Sequence, residues 1–132
     1  MILDASLVLS DAQVITATAA SSNNIDQLAA GDAYVGNFLV IRVNAAFAAA
    51  GAATLTIALE CDSDSAFGSV RTLWQSSALA IATLIAGYEI KIRIPLRVER
   101  YLRVNYTVAT GPFTAGSLDA FIVADVDRDI NE

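Results

Sequence analysis

The sequence contains no histidine and one cysteine, and both shortages limit its chemistry. Without histidine there is no Ser-His-Asp triad, no Cys-His dyad and no histidine metal ligand. The single Cys61 excludes an internal disulfide, and its place in the apolar run TLTIALEC predicts a small buried side chain. We therefore expect a protein that is not an enzyme and that has no metal and no cofactor.

Basic residues are also scarce. The chain has 8 Lys and Arg against 14 Asp and Glu, which gives a net charge of −6. Nucleic acids and anionic membrane surfaces attract basic faces, so neither is expected as a partner. No apolar run reaches the 18 residues that indicate a membrane span, and the N-terminal stretch lacks the basic start of a signal peptide. We expect synthesis in the cytoplasm.

One acidic stretch invites a metal-binding interpretation. Asp62-Ser63-Asp64-Ser65 looks like the start of a calcium loop, but the sixth place holds Phe67 instead of glycine and the twelfth holds Leu73 instead of glutamate. Asp and Ser are also common turn residues, and the stretch predicts a turn.

What the chain has in abundance is alternation of apolar and polar residues. Period-two runs of six to nine residues are typical of half-buried antiparallel strands. They predict strands at 6–9, 13–18, 38–43, 53–61, 88–94, 100–108 and 117–126, with weaker ones at 25–28 and 70–75. Two alanine-rich segments are ambiguous: 44–53 reads as a helical turn or a loop, and 77–87 as a short helix or a strand.

This pattern predicts an all-β fold, an antiparallel jelly roll or β-sandwich of about eight strands with little helix. The length of 132 residues fits a single domain. We expect an extended N-terminal arm at 1–11 and an acidic tail at 125–132.

Charge is unevenly distributed along the chain. Between residues 88 and 103 lie five basic and two acidic residues. One interpretation is a basic stripe on one sheet that docks a partner. The other is ordinary solvated strands joined by cross-strand ion pairs. Tyr101, Phe121 and Trp74 are similarly open to two interpretations, as core residues or as interface anchors.

Three stretches together resemble a known family. They are LDASLVLSDAQVITATAASSNNID (3–26), GAATLTIALECDSDSAFGS (51–69) and RYLRVNYTVATGPFTAG (100–116). In order and spacing they resemble capsid cement (decoration) proteins of short-tailed double-stranded-DNA bacteriophages. The resemblance implies a jelly roll or related sandwich without enzymatic activity. It implies a virion protein on the outer capsid surface, an oligomer that bridges neighbouring copies of the major capsid protein.

The resemblance itself assigns no contact residues, and the candidates chosen from the residues' own chemistry lie in three places. The loop at 110–116 is one, with Pro112 to stiffen it and Phe113 as an apolar anchor. The N-terminal arm and the basic region are the others. The full set of candidate protein contacts is Ile2, Leu3, Arg97, Arg100, Pro112 and Phe113.

Two alternative functions stay open. One is a connector or tail component of the same virus, and the other is a glycan-binding β-sandwich without catalytic activity. For the oligomer, a dimer is favoured because twofold symmetry is the commonest, and a trimer is the alternative.

Overall fold

The computed structural model describes residues 8–26, 37–95 and 98–123, and these residues form an all-β protein. The prediction of an antiparallel all-β fold is confirmed, with ten strands described where about eight were predicted. No helix among the described residues is long and apolar enough to cross a membrane. The strands are β1 (Val8–Val14), β2 (Ala19–Ala20), β3 (Ile25–Asp26), β4 (Phe38–Ala48), β5 (Thr54–Asp62), β6 (Arg71–Gln75), β7 (Leu79–Ala80), β8 (Glu89–Arg93), β9 (Tyr101–Ala109) and β10 (Ala115–Val123).

The strands form two antiparallel sheets around one core. The four-stranded sheet has the order β1-β10-β4-β8. The six-stranded sheet has the path β2-β9-β5-β6, with β3 also beside β9 and β7 beside β5. A single apolar cluster includes Ile41 and Leu118 from the first sheet and Leu59 and Val104 from the second. The sheets therefore form a two-layer sandwich, and their order is compatible with a jelly roll.

Strand β9 shows how the alternating pattern produces this packing. Leu102, Val104 and Tyr106 are fully buried, whereas Arg103 and Thr107 between and beyond them are half-buried or exposed. Successive side chains of a strand point to opposite faces, so one face of β9 supplies the core. Burying such side chains contributes roughly 1.5–3 kcal/mol each.

The first strand differs from the prediction. Two strands were expected at 6–9 and 13–18, but a single strand runs from Val8 to Val14 and pairs with β10. Ala12 has a φ of 48°, and its backbone N–H donates to Asp119 Oδ1 at 2.7 Å. The irregular register around Ala12 lets the chain pass this point without leaving the sheet. The expected arm therefore does not include Val8–Asp11, and residues 1–7 lie outside the described residues, as does the expected tail at 125–132.

The alanine-rich segments are also resolved by pairing. The interpretation of 44–53 as a helical turn or loop is wrong up to Ala48, because β4 continues to that residue and pairs Ala45 and Ala48 with β10. In the second segment, Leu79–Ala80 forms a short strand against β5, and a turn follows. Alanine has little β propensity of its own, so the neighbouring strand determines the conformation.

Candidate protein-contact surface

Among the described residues, the loops at one end of the sandwich carry no charged side chain. We call it the uncharged end and define it by four loops at 15–18, 49–53, 81–87 and 110–114. The strand portions that lead into these loops also lack Asp, Glu, Lys and Arg, although charged residues make up 17% of the chain. The segments without a charge are 12–25, 43–59, 72–88 and 104–118.

Backbone hydrogen bonds hold the loops of the uncharged end together. The N–H of Phe113 donates to the Thr16 carbonyl at 3.0 Å, and the N–H of Thr114 donates to the Ala48 carbonyl at 2.7 Å. A Cβ added to Gly111 would come within 2.4 Å of the Ala53 Cβ, so loops 49–53 and 110–114 are in direct contact. The loops at 15–18, 49–53 and 110–114 thus form one continuous surface.

Phe47, near the end of β4, connects the loop at 81–87 to the loop at 110–114. The N–H of Phe47 donates to the Leu84 carbonyl at 3.0 Å. The ring of Phe47 packs edge-on against Phe113, with 4.9 Å between ring centroids. Gly116, with a φ of 138°, lies so close that an added Cβ would be 2.4 Å from the Phe47 ring. A residue with a side chain would be excluded here by both the conformation and the space.

The position of Phe113 corrects one expectation. An exposed apolar anchor was predicted, but the side chain is 2% exposed and belongs to the core. Its ring fills the space beneath the loop and so stabilises the loop conformation instead of reaching outward. Pro112 is exposed at the surface of the same loop.

The exposed apolar residues at this end were not predicted as contacts. Val14 is 65% exposed and Ile85 is 57% exposed, and the loops at 15–18, 49–53 and 81–87 also contain exposed alanines. Few other large apolar side chains are exposed in the described part of the chain, and Val70 at the opposite end is 39% exposed. The sequence signal for this end is the set of four long stretches without charge, because they become neighbours only when the strands pair.

At the opposite end the basic side chains are paired. Arg100 binds Asp26 through both carboxylate oxygens, at 2.8 and 3.1 Å, and its guanidinium lies 4.9 Å from the Tyr101 ring centre. Arg103 binds Glu60 at 3.0 Å and stacks over Phe67 at 4.4 Å. Arg97, like Ile2 and Leu3, lies outside the described residues.

Of the two interpretations of the basic region, the stripe on one sheet is wrong. Lys91 and Arg93 lie on β8 in the four-stranded sheet, whereas Arg100 and Arg103 belong to the six-stranded side of the sandwich, next to and on β9. Cross-strand ion pairs are what the structure shows instead, as between Glu60 and Arg103, which are opposite each other in the β5–β9 register.

A second example of such pairing lies on β4 and β8. Arg42 donates to Glu89 at 2.7 Å, and Lys91 lies 3.5 Å from the same carboxylate. The hydrogen bond from Arg42 lowers the pKa of Glu89. Both cations share this one carboxylate, so their charge is partly compensated within the chain.

The acidic loop after β5 is a structural turn, as predicted. Asp62 is 2% exposed, and its two carboxylate oxygens accept hydrogen bonds from the backbone N–H groups of Ser69, at 2.7 Å, and Asp64, at 3.1 Å. The bond from Ser69 lowers the pKa of Asp62 most. No group of three or more potential metal-ligating side chains occurs in 8–26, 37–95 and 98–123.

The aromatic residues left open by the sequence fall mostly into apolar packing. Phe121 is 5% exposed and packs with Val40 and Val123 in a second apolar cluster. Trp74 is half-buried against the main core. Tyr101 is half-buried and makes an edge contact with Phe67 at 6.3 Å.

Comparison with known proteins places the whole sandwich in one family. A family model described as Bbp16 matches residues 9–122. The chain belongs to the Bbp16 family. The match begins in β1 and ends in β10, so the strands of both sheets lie within the Bbp16 region. A search of curated proteins finds no match.

Proposed function

We propose that this chain is a capsid cement protein. It binds the outer surface of a mature phage head and bridges neighbouring copies of the major capsid protein. In this role it is a structural virion protein, and its partner is a protein surface.

The observation that carries the proposal is the location of the three stretches that resemble phage cement proteins. Two of them contain β5 and β9, which pair along nine residues from Thr54 opposite Ala109 to Asp62 opposite Tyr101. The third contains β2 and β3, which pair with β9 on its other side. The resemblance therefore includes four neighbouring strands of the six-stranded sheet, β2, β3, β9 and β5.

The mechanism follows from linkage and multiplicity. A protein that binds the mature lattice but not its dissociated subunits stabilises the lattice by mass action. Many copies, each bound with modest affinity, together raise the free energy needed to open the shell. A sandwich whose loops are already held by hydrogen bonds loses little conformational freedom on binding.

The oligomeric state is part of the proposal. Bridging requires at least two contacts with the shell, and a homodimer offers two equivalent surfaces related by a twofold axis. Sedimentation equilibrium of the free protein tests this, with a trimer as the outcome that would replace the dimer.

Co-sedimentation with shells tests the function itself. Shells of the major capsid protein are assembled without this chain, in unexpanded and expanded forms, and each is mixed with increasing amounts of purified protein. We expect saturable pelleting with the expanded form. A folded protein that pellets with neither form would refute the cement role.

A further inference from the structure

We infer that the uncharged end is the surface that docks onto the major capsid protein, an inference that rests on the proposed function. Protein interfaces are distinguished from other surface by depletion of charged residues at their centre. An ordinary soluble surface has charged residues of both signs interspersed over it. The four loops at this end have none, and the exposed side chains there include Ile85 and Pro112 in the loops and Val14 at the end of β1.

The charge distribution determines what kind of partner fits. The chain has a net charge of −6, so an approach through its charged parts would bring carboxylates toward the partner. Docking through the uncharged end leaves those groups in water. The matching partner surface is one without charge, made of apolar and small polar side chains. A phosphate-bearing partner is excluded for this end because the four loops offer no cation.

The charged side chains at the other end support the same orientation. Arg100 and Arg103 are engaged with Asp26 and Glu60, so recruiting them to a partner would require breaking those pairs. The uncharged end has no such pair to break. Docking there needs desolvation of apolar surface and of small polar groups alone.

The uncharged end is also held in one shape before binding. The Phe47–Phe113 contact lies beneath the loops, and Gly116 allows the backbone to approach the Phe47 ring. Backbone hydrogen bonds from Phe113 and Thr114 join the loop at 110–114 to the loop at 15–18 and to the end of β4. A surface ordered in advance converts more of its buried area into affinity.

The test places a charge at this end and compares it with the same change at the other. Ile85→Asp and Val14→Asp introduce a carboxylate at side chains that are 57% and 65% exposed, so both variants are expected to fold. Val70→Asp is the matched control, because Val70 is an exposed apolar residue next to β6, at the opposite end of the sandwich. Trp74 fluorescence and the melting temperature verify folding before binding is measured.

Binding of each protein to expanded shells is then titrated by co-sedimentation. We expect Ile85→Asp and Val14→Asp to weaken binding about tenfold or more, since each buries an unpaired carboxylate in the interface. Val70→Asp should stay within about twofold of the unchanged protein. Raising the salt concentration should leave wild-type affinity unchanged or increase it, because no ion pair is screened.

The outcomes separate this inference from the proposed function. Wild-type protein that fails to pellet with any shell refutes the function. Wild-type protein that binds while both end variants bind equally well refutes the docking surface alone. Sedimentation velocity adds a third outcome: if Ile85→Asp lowers the oligomeric state and Val70→Asp does not, the uncharged end contacts a second copy, and its assignment to the capsid protein is overturned.

Discussion

A chain of buried hydrogen bonds joins the two sheets. Its two central hydroxyl groups should contribute different amounts to the free energy of unfolding. Ser10 Oγ on β1 donates to Gln13 Oε1 at 2.7 Å and lies 2.7 Å from the Tyr106 hydroxyl on β9. Because the Ser10 proton is directed to Gln13, the Tyr106 hydroxyl is the donor to Ser10. Burial raises the pKa of Tyr106, so this hydroxyl keeps its proton. Both residues are fully buried.

Removing either hydroxyl breaks the same bond but leaves a different group behind. Tyr106→Phe leaves Ser10 with its bond to Gln13, and we expect the free energy of unfolding to fall by about 1 kcal/mol. Ser10→Ala leaves the Tyr106 hydroxyl buried with no acceptor, and we expect a loss of about 2 kcal/mol. The variant with both substitutions should be destabilised by about 1 kcal/mol less than the sum of the two single losses, because no buried donor is left without an acceptor.

Urea unfolding followed by Trp74 fluorescence measures these differences, since this single tryptophan is half-buried against the core. A loss of 1 kcal/mol should lower the melting temperature by about 4 °C in a domain of this size. Tyr88→Phe, at a half-buried tyrosine outside this chain of bonds, serves as the control and should stay within about 0.5 kcal/mol. Equal costs for Ser10→Ala and Tyr106→Phe, or additive ones, would show that the donor assignment is wrong.

Two further predictions concern a glycine near the uncharged end and a buried carboxylate at the opposite end of the sandwich. Gly116→Ala should lower the free energy of unfolding by about 3 kcal/mol, because the φ of 138° and the nearby Phe47 ring exclude a side chain. Gly51→Ala, at a position with open space around it, should stay within about 0.5 kcal/mol. Urea unfolding measures both, and similar values for the two variants would contradict the packing argument. Asp62 has a lowered pKa in the folded protein, so it stabilises the fold above its unfolded pKa, near 3.8, and this contribution is lost as the pH falls through the lower folded value. Melting temperatures from pH 7 to pH 2 should therefore fall more steeply for the unchanged protein than for Asp62→Asn, and parallel curves would exclude Asp62 as a source of acid sensitivity.

Much of the fold was predictable because strand patterning is local. In β9 the alternation of Leu102, Val104 and Tyr106 with polar residues gave the correct element and the correct buried face. The failures occurred where local residues are uninformative. Alanine at 45–48 has no strong preference, and the partner strand β10 decided its conformation.

The candidate contacts show the same division. Pro112 is exposed in its loop, whereas Phe113, which was expected to be an apolar anchor, is buried against Phe47. The basic residues were grouped by their proximity in sequence, and the connection after β8 then divided them between the two sheets. The alternation of apolar and polar residues along a strand indicates which residues share a face, but it does not indicate which sheet the strand joins.

The sequence by itself determined the all-β class, the absence of histidine chemistry and the acidic charge, because composition and period-two patterning are properties of the chain before it folds. Tertiary structure alone decided that four uncharged stretches far apart in sequence meet at one end of the sandwich. It also decided that Arg100 and Arg103 find acidic partners on other strands. Both depend on long-range strand pairing, in which register and sheet order bring distant residues together, and no local pattern encodes that pairing.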